Sequence, residues 1–236
     1  MYKLAFLIPH FNHSKNLARL VEILNKFGAE ILIIDDGSSK EHKEILKDLK
    51  AKIIYRKTNG GKGAAMKDGF KYLIENGFTH ALQIDADMQH DLLYLSDFIT
   101  LSQDYPKALI CANPIYGKDA PKARLYGRKI TNFWVYINTL GADLKDAMCG
   151  FRIYPLDSTN QILPKLKAYK MDFDIEILYL FFKLGVEILW FDVLVRYDKD
   201  GVSHFRAFRD NFLISKIHAK HFFALPKFIF KRLLDG

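Results

Sequence analysis

Asp85, Asp87 and Asp91 fall within the stretch "DADMQHD" (85–91), directly after an apolar run, with Gln89 and His90 between them. Like charges this close repel, and burying them is costly unless a cation sits among them. A divalent ion is one answer. Mg²⁺ and Mn²⁺ keep several waters and take only one or two protein oxygens beside the oxygens of a diphosphate. A polar loop cap with no ligand is the alternative reading of the same residues. "IIDDGSS" (33–39) adds context: Asp35 and Asp36 end a second apolar run, and Gly37, Ser38 and Ser39 read as a turn and a helix N-cap. Capping accounts for the serines and leaves the two adjacent acids unexplained.

Three further stretches carry polar groups with a chemical use. "NGGKGAAMKDG" (59–69) sets Gly60, Gly61 and Gly63 ahead of a helix whose N-terminus could hold an anion. It lacks the spacing of a phosphate-binding P-loop, because Lys62 is followed by Gly63 rather than Ser or Thr. A turn touching nucleotide and a plain helix entry both remain open. "DAMCGFRIY" places Asp146 and Arg152 around Gly150, and spacing alone favours a surface turn with an ion pair. In "KARLYGR", Arg124 and Arg128 share one helix face, where they could grip a phosphate or be solvated. The eight histidines show no paired metal-ligand spacing and are expected at surfaces or interfaces, with His90 the exception.

The elements that must position these residues alternate. Apolar runs at Leu4 to Ile8, "EILIIDD", "KIIYR", "THALQIDAD" and "KALICANP" read as strands; Leu17 to Phe27, Glu41 to Leu49 and Ala64 to Ile74 read as helices. That order predicts an α/β sheet with crossover helices, in which functional groups gather at the carboxyl ends of strands. "PHFNHS", "DDGSS", "KTNGGKG" and "DADMQHD" all stand there. Beyond Asn113, "KARLYGRKITNFWVYINTLG" predicts a helix. "FDIEILYLFFKLG" predicts a buried helix closed by Gly185, and "VEILWFDVLVRY" a last strand.

The net charge is +8, and from Arg206 to Leu234 seven Lys or Arg face the single acid Asp210. A basic terminal segment suits nucleic acid or an anionic membrane surface, and composition does not choose. Seven phenylalanines from Phe205 to Phe230 interleave with these cations, which suits an interfacial helix pair broken near Pro226. A terminal helix packed on the sheet with its basic side in water is the alternative. No run is long and apolar enough to cross a bilayer, and the two cysteines, Cys111 and Cys149, provide no disulfide framework, in keeping with a reducing cytoplasm. The expected division is a catalytic domain over 1–205 and a basic aromatic extension over 206–236.

In this order, "LIPHFNHSKNL", "IIDDGSS", "NGGKGAAMKDG", "DADMQHD" and "DAMCGFRIY" resemble family 2 glycosyltransferases of the GT-A fold, from about residue 3 to 205, and within them the dolichyl- and polyprenyl-phosphate sugar transferases. The resemblance implies a Rossmann-like mixed sheet flanked by helices, a nucleotide-sugar donor, and Mg²⁺ or Mn²⁺ held by Asp85, Asp87 and Gln89. It implies that Pro9, Phe11, His13, Asp36, Lys62 and Asp85 meet the nucleotide, with Asp36 on the base. Asp87, Arg128 and Arg152 would serve the reaction, Arg128 near an acceptor phosphate. Asp146 is the candidate base for a hydroxyl acceptor. The family's usual Glu is His13 here, Asp91 and Leu92 replace two prolines, and the late basic segment appears as "RYDKDGVSHFR"; these departures bear on the acceptor more than on the donor.

The reading is therefore a metal-dependent, inverting hexosyltransferase acting on a lipid-linked or envelope glycan acceptor. It would be peripheral at the cytoplasmic face of an anionic membrane, without a nucleic-acid partner. Rival readings are transfer to another lipid or polyene hydroxyl, a sugar-nucleotide pyrophosphorylase, and a nucleotide-binding protein without turnover. A basic nucleic-acid-binding protein is a fourth, but no reading motif accompanies the charge.

Overall fold

The computed structural model describes residues 1–117, 120–195 and 206–234. Four parallel strands build its first half: β1 (Leu4–His10), β2 (Glu30–Asp35), β3 (Lys52–Tyr55) and β4 (His80–Gln83). Helices α1 (Leu17–Asn25), α2 (Lys40–Lys47) and α3 (Lys62–Glu75) make the crossovers. Then come α4 (Leu95–Asp104), β5 (Leu109–Tyr116), α5 (Lys122–Asn138), β6 (Arg152–Pro155), α6 (Leu156–Ile162), α7 (Phe173–Leu184) and β7 (Ile188–Val195). The seven strands form one mixed sheet in the order β3-β2-β1-β4-β6-β5-β7, with β6 antiparallel to both β4 and β5. The GT-A architecture expected from the motifs is the one found.

Strand alternation splits the core into two layers, because successive side chains point to opposite faces. Ala5 and Leu7 join Phe70, Tyr154, Phe173 and Phe181 on one side; Phe6 and Ile8 join Leu17, Leu20, Phe98 and Phe151 on the other. Helix α7 is buried nearly all round and ends at Gly185, whose φ of 77° suits a residue without Cβ.

Some local expectations shift. The strand predicted to run through Asp87 stops at Gln83, so the acids lie on a loop, where Met88 has a positive φ of 55°. Ser39 occupies the N-cap of α2 without a side-chain cap bond, and the Ser38 hydroxyl is instead 2.9 Å from Asn12 N. His10, His80, His218 and His221 are buried rather than superficial. Most of "RYDKDGVSHFR" lies outside the described residues.

The basic C-terminal segment is a helix pair, α8 (Ala207–Phe223) and α9 (Leu225–Leu234), that meets at Ala224 beside Pro226. Helix α8 buries Asp210, Ile214, Ile217, His218 and His221, and packs on α5 and α7. Among the described residues no helix is long and apolar enough to cross a membrane.

Candidate functional site

The carboxyl ends of β1, β2 and β4 and the N-terminus of α3 open into a cavity of about 610 Å³. Parallel register sets His10 against Asp35. His10 Nδ1 lies 3.0 Å from Asp35 Oδ1, and its Nε2 lies 3.1 Å from Ser14 Oγ. Burial works against the Asp35 charge, but bonds from His10 and Ser38 outweigh it and hold its carboxyl below the usual range. This cluster was invisible in sequence because 25 residues separate His10 from Asp35.

Asp36, expected to read the base, also folds the glycine loop. It accepts the N–H groups of Gly60 and Gly61 at 2.9 and 2.6 Å and is ion-paired with Arg56. Gly61 has φ of 98°, and a Cβ there would stand 2.5 Å from the Tyr169 carbonyl oxygen. Only glycine fits this close approach without strain.

The loop thereby delivers Lys62. Its ammonium lies 3.0 Å from the Asp85 carboxylate and 2.9 Å from Asp174 Oδ2. Burial alone would discharge it, but the two carboxylates raise its pKa well above the ordinary lysine value. Asp174 also accepts Gln83 Nε2 at 3.3 Å, and Gln83 Oε1 accepts the Tyr154 hydroxyl at 3.0 Å. A Cβ on Gly150 would stand 2.5 Å from Lys62 Nζ, so the glycine of "CGFR" makes room for this ion pair.

Asp85 and Asp87 differ in charge environment. Burial acts against the Asp85 charge, yet Lys62 prevails and holds its carboxyl below the usual range. The Asp87 carboxyl is pushed up to about 6, by burial first and by the Asp85 charge second. A carboxylate so disfavoured beside another is what a bound cation would relieve. Among the described residues no group of three His, Cys, Asp or Glu side chains converges to hold a metal. Two carboxylates on a cavity wall fit a hard ion that completes its shell with phosphate and water oxygens.

Cations line the cavity as well. Ala123, Arg124, Gly127, Arg128 and Thr131 of α5 line it, and Arg206, Arg209 and Asn211 extend it from α8 and its entry. Thus the segment expected to be a C-terminal extension contributes to the cavity. Arg128 Nη1 donates to both Asp146 oxygens at 2.7 and 2.6 Å, and Asp146 also accepts the N–H groups of Met148 and Cys149.

Pro9, Phe11, His13, Asp36, Lys62, Asp85, Asp87, Gln89 and Arg128 all line the cavity. Two expected residues do not. Asp146 is buried behind Arg128, with its lone pairs taken by the guanidinium, two backbone amides and the Tyr116 hydroxyl. Arg152 is wholly buried, donating to the carbonyls of Asp174 and Ala147 at 2.7 and 2.9 Å, so it braces the loop from inside. His90 stacks on Phe151 and lies 3.3 Å from Cys149 Sγ; burial lowers its pKa to about 4. Asp174, on the cavity wall at the start of α7, is the carboxylate that sequence reasoning missed. Its only sequence signal was that it is one of two acids, with Glu176, in the first turn of a largely apolar helix.

This sheet order and this site define a GT-A type fold. The structure is similar to that of glucosyl-3-phosphoglycerate synthase from Mycobacterium tuberculosis, solved in complex with Mn²⁺, uridine diphosphate and glucosyl-3-phosphoglycerate. The TM-score is 0.68 at 15% sequence identity, covering 93% of this chain and 78% of that one, a likeness of fold. The model of glycosyl transferase family 2 matches residues 5–163, and the chain belongs to that family of nucleotide-sugar glycosyltransferases. A dolichyl-phosphate beta-glucosyltransferase from Dictyostelium discoideum is 28% identical over 211 residues, 78% of this chain and 64% of that enzyme. A polyprenol monophosphomannose synthase from Mycolicibacterium smegmatis is 24% identical over 177 residues, 70% of this chain and 65% of its length. The matches therefore span just under two thirds of each relative.

Proposed function

We propose that the protein transfers a hexosyl group from a nucleoside diphosphate sugar to the phosphate of a lipid-linked acceptor, inverting the anomeric centre. The observation that carries this reading is one cavity lined by carboxylates and by cations together: Asp85 and Asp87 with Arg124, Arg128, Arg206 and Arg209. Names of the relatives from Dictyostelium and Mycolicibacterium, which act with dolichyl and polyprenol phosphates, support the acceptor class.

Mg²⁺ or Mn²⁺ held by Asp85 and Asp87, with Gln89 nearby, would supply positive charge against the departing diphosphate. The chain's own residues do the rest. Lys62, clamped by Asp85 and Asp174, is a fixed cation on the donor side. Asp146 orients Arg128, which presents its guanidinium to the acceptor side. A phosphate acceptor is already an anion and needs no strong base. A hydroxyl acceptor would need one, and Asp174 rather than Asp146 reaches the cavity. The basic aromatic helices α8 and α9 suit attachment to the cytoplasmic face of an anionic membrane, where such an acceptor is found.

The test is a panel of UDP, GDP, CDP and dTDP sugars, with and without Mg²⁺ or Mn²⁺, read first by thermal shift and then by transfer to polyprenyl phosphate. One nucleotide should raise the melting temperature strongly only with metal, since a ligand of the native state stabilises it by mass action. That sugar should then appear on the lipid. No shift with any nucleotide, or transfer that survives Asp87→Ala, overturns the reading.

A further inference from the structure

Helix α5 has two working faces. Its inner face lines the cavity through Arg124, Gly127, Arg128 and Thr131. Its outer face carries Tyr126, Ile130, Phe133 and Tyr136, each 57 to 65% exposed, followed by exposed Leu140. Tyr126, Ile130, Phe133 and Tyr136 fall at spacings of four, three and three residues, so they form one stripe along the helix, with Leu140 just beyond its end. Single exposed apolar residues need no explanation, but an aligned row of aromatics does.

The row does not stop at α5. Phe133 contacts Trp134 edge to face at 6.1 Å between ring centroids, Trp134 contacts Phe222 at 6.0 Å, and Phe222 contacts Phe223 at 5.8 Å. These contacts join α5 to the exposed side of α8, where Phe208, Phe212 and Phe223 are open to solvent, and beyond it α9 exposes Ile229, Phe230 and Leu233. Exposed cations border the same elements: Lys122 and Lys129 on α5, Lys216 on α8 and Lys227 on α9.

We propose that the outer face of α5, continuous with α8 and α9, seats on the interface of an anionic bilayer, so that one helix forms both the cavity wall and a membrane contact. This deepens the membrane attachment proposed above and rests on it, adding α5 as the element that places the cavity mouth at the lipid surface. Charge selects the occupant. Aromatic rings and lysine stems sit well at the boundary between headgroups and acyl chains, and anionic headgroups neutralise the lysines. A second copy would bring the same lysines face to face, which electrostatics disfavours. In this pose an acceptor with its phosphate at the headgroup level meets Arg124 and Arg128 without leaving the membrane.

The experiment is flotation of the full chain with phosphatidylcholine vesicles, with and without phosphatidylserine. The variants are Ile130→Glu/Phe133→Glu on α5 and, separately, Phe208→Glu/Phe212→Glu on α8. All four positions are exposed, so folding should persist, which circular dichroism checks. Wild type should float only with phosphatidylserine, and the α5 pair should lower the bound fraction roughly tenfold while keeping transfer to a short, water-soluble prenyl phosphate. In a Trp190→Phe background, lipids brominated near the headgroup should quench Trp134. If the α5 pair floats like wild type and Trp134 is not quenched, the face does not touch lipid. If wild type is a dimer that the α5 pair converts to monomer without change in flotation, the occupant is a second copy and the proposal is wrong. Loss of soluble-acceptor transfer in wild type would instead count against the proposed function and leave the flotation result to stand alone.

Discussion

Lys62→Met asks how much the buried charge network matters to the fold. The ammonium lies 3.0 Å from Asp85 and 2.9 Å from Asp174, and the Asp174 side chain is only 5% exposed. Methionine fills nearly the same space without the charge, leaving Asp174 with one polar side-chain partner among the described residues, Gln83 Nε2 at 3.3 Å. Removing one member of a buried ion pair costs about 3 to 5 kcal/mol. The Lys62 side chain is itself 12% exposed, so water offsets part of this loss. A loss of about 3 to 4 kcal/mol is therefore expected in urea unfolding at pH 7 without divalent metal. Asp174→Asn in the same background should recover at least half of it, since no unpaired charge is then left at that position. A single-variant loss below about 1 kcal/mol, or a double variant no more stable than the single, would refute the reasoning and mean that water already screens the pair.

Three other outcomes follow from the geometry. Asp87→Ala should lower transfer by at least about a hundredfold while leaving the melting temperature unchanged or slightly higher, because it removes a carboxyl that burial, and then the Asp85 charge, push up to about 6; steady-state rates and thermal melting check it. Arg128→Lys should raise the KM for the acceptor proposed above about tenfold with little change in the donor KM, since lysine cannot span both the Asp146 pair and a phosphate. Burial holds His218 at about 4 and His221 at about 3, below the ordinary histidine value, so both fold neutral. The groups around them are Tyr179, Asn138, Lys183, Lys220 and Glu176, none of which offers His221 an anion directly. Their contribution is complete above about pH 6.5 and is lost as pH falls toward 4, with a slope of up to ~1.4 kcal/mol per pH unit for each ring. Urea midpoints from pH 7 to 4.5 should show this slope, and His218→Gln should flatten it.

Much of the donor side could be read from the chain because it depends on local pattern. Apolar runs alternating with helical periods place "DDGSS", "NGGKGAA" and "DADMQHD" after three strands, and parallel strands joined by crossover helices bring their carboxyl ends to one edge. The same logic failed for Asp146 and Arg152. Their spacing around Gly150 says that they are near one another, but not which of them faces the cavity. The antiparallel insertion of β6 between β4 and β5 turns Arg152 into the core and leaves Asp146 to brace Arg128.

What the sequence determined by itself, then, is the α/β architecture, the family motifs and the cluster of acids, since each is written in contiguous residues. The tertiary structure decided which charges meet. Lys62 and Asp174 are 112 residues apart, and their contact exists only because α7 docks its N-terminus beside the entry of α3. Arg206 and Arg209 join the cavity only because α8 folds back on α5 and α7. The two faces of α5 separate into wall and exposed stripe for the same reason. Periodicity shows that a helix has faces, and only the packing of its neighbours decides which face is left to solvent.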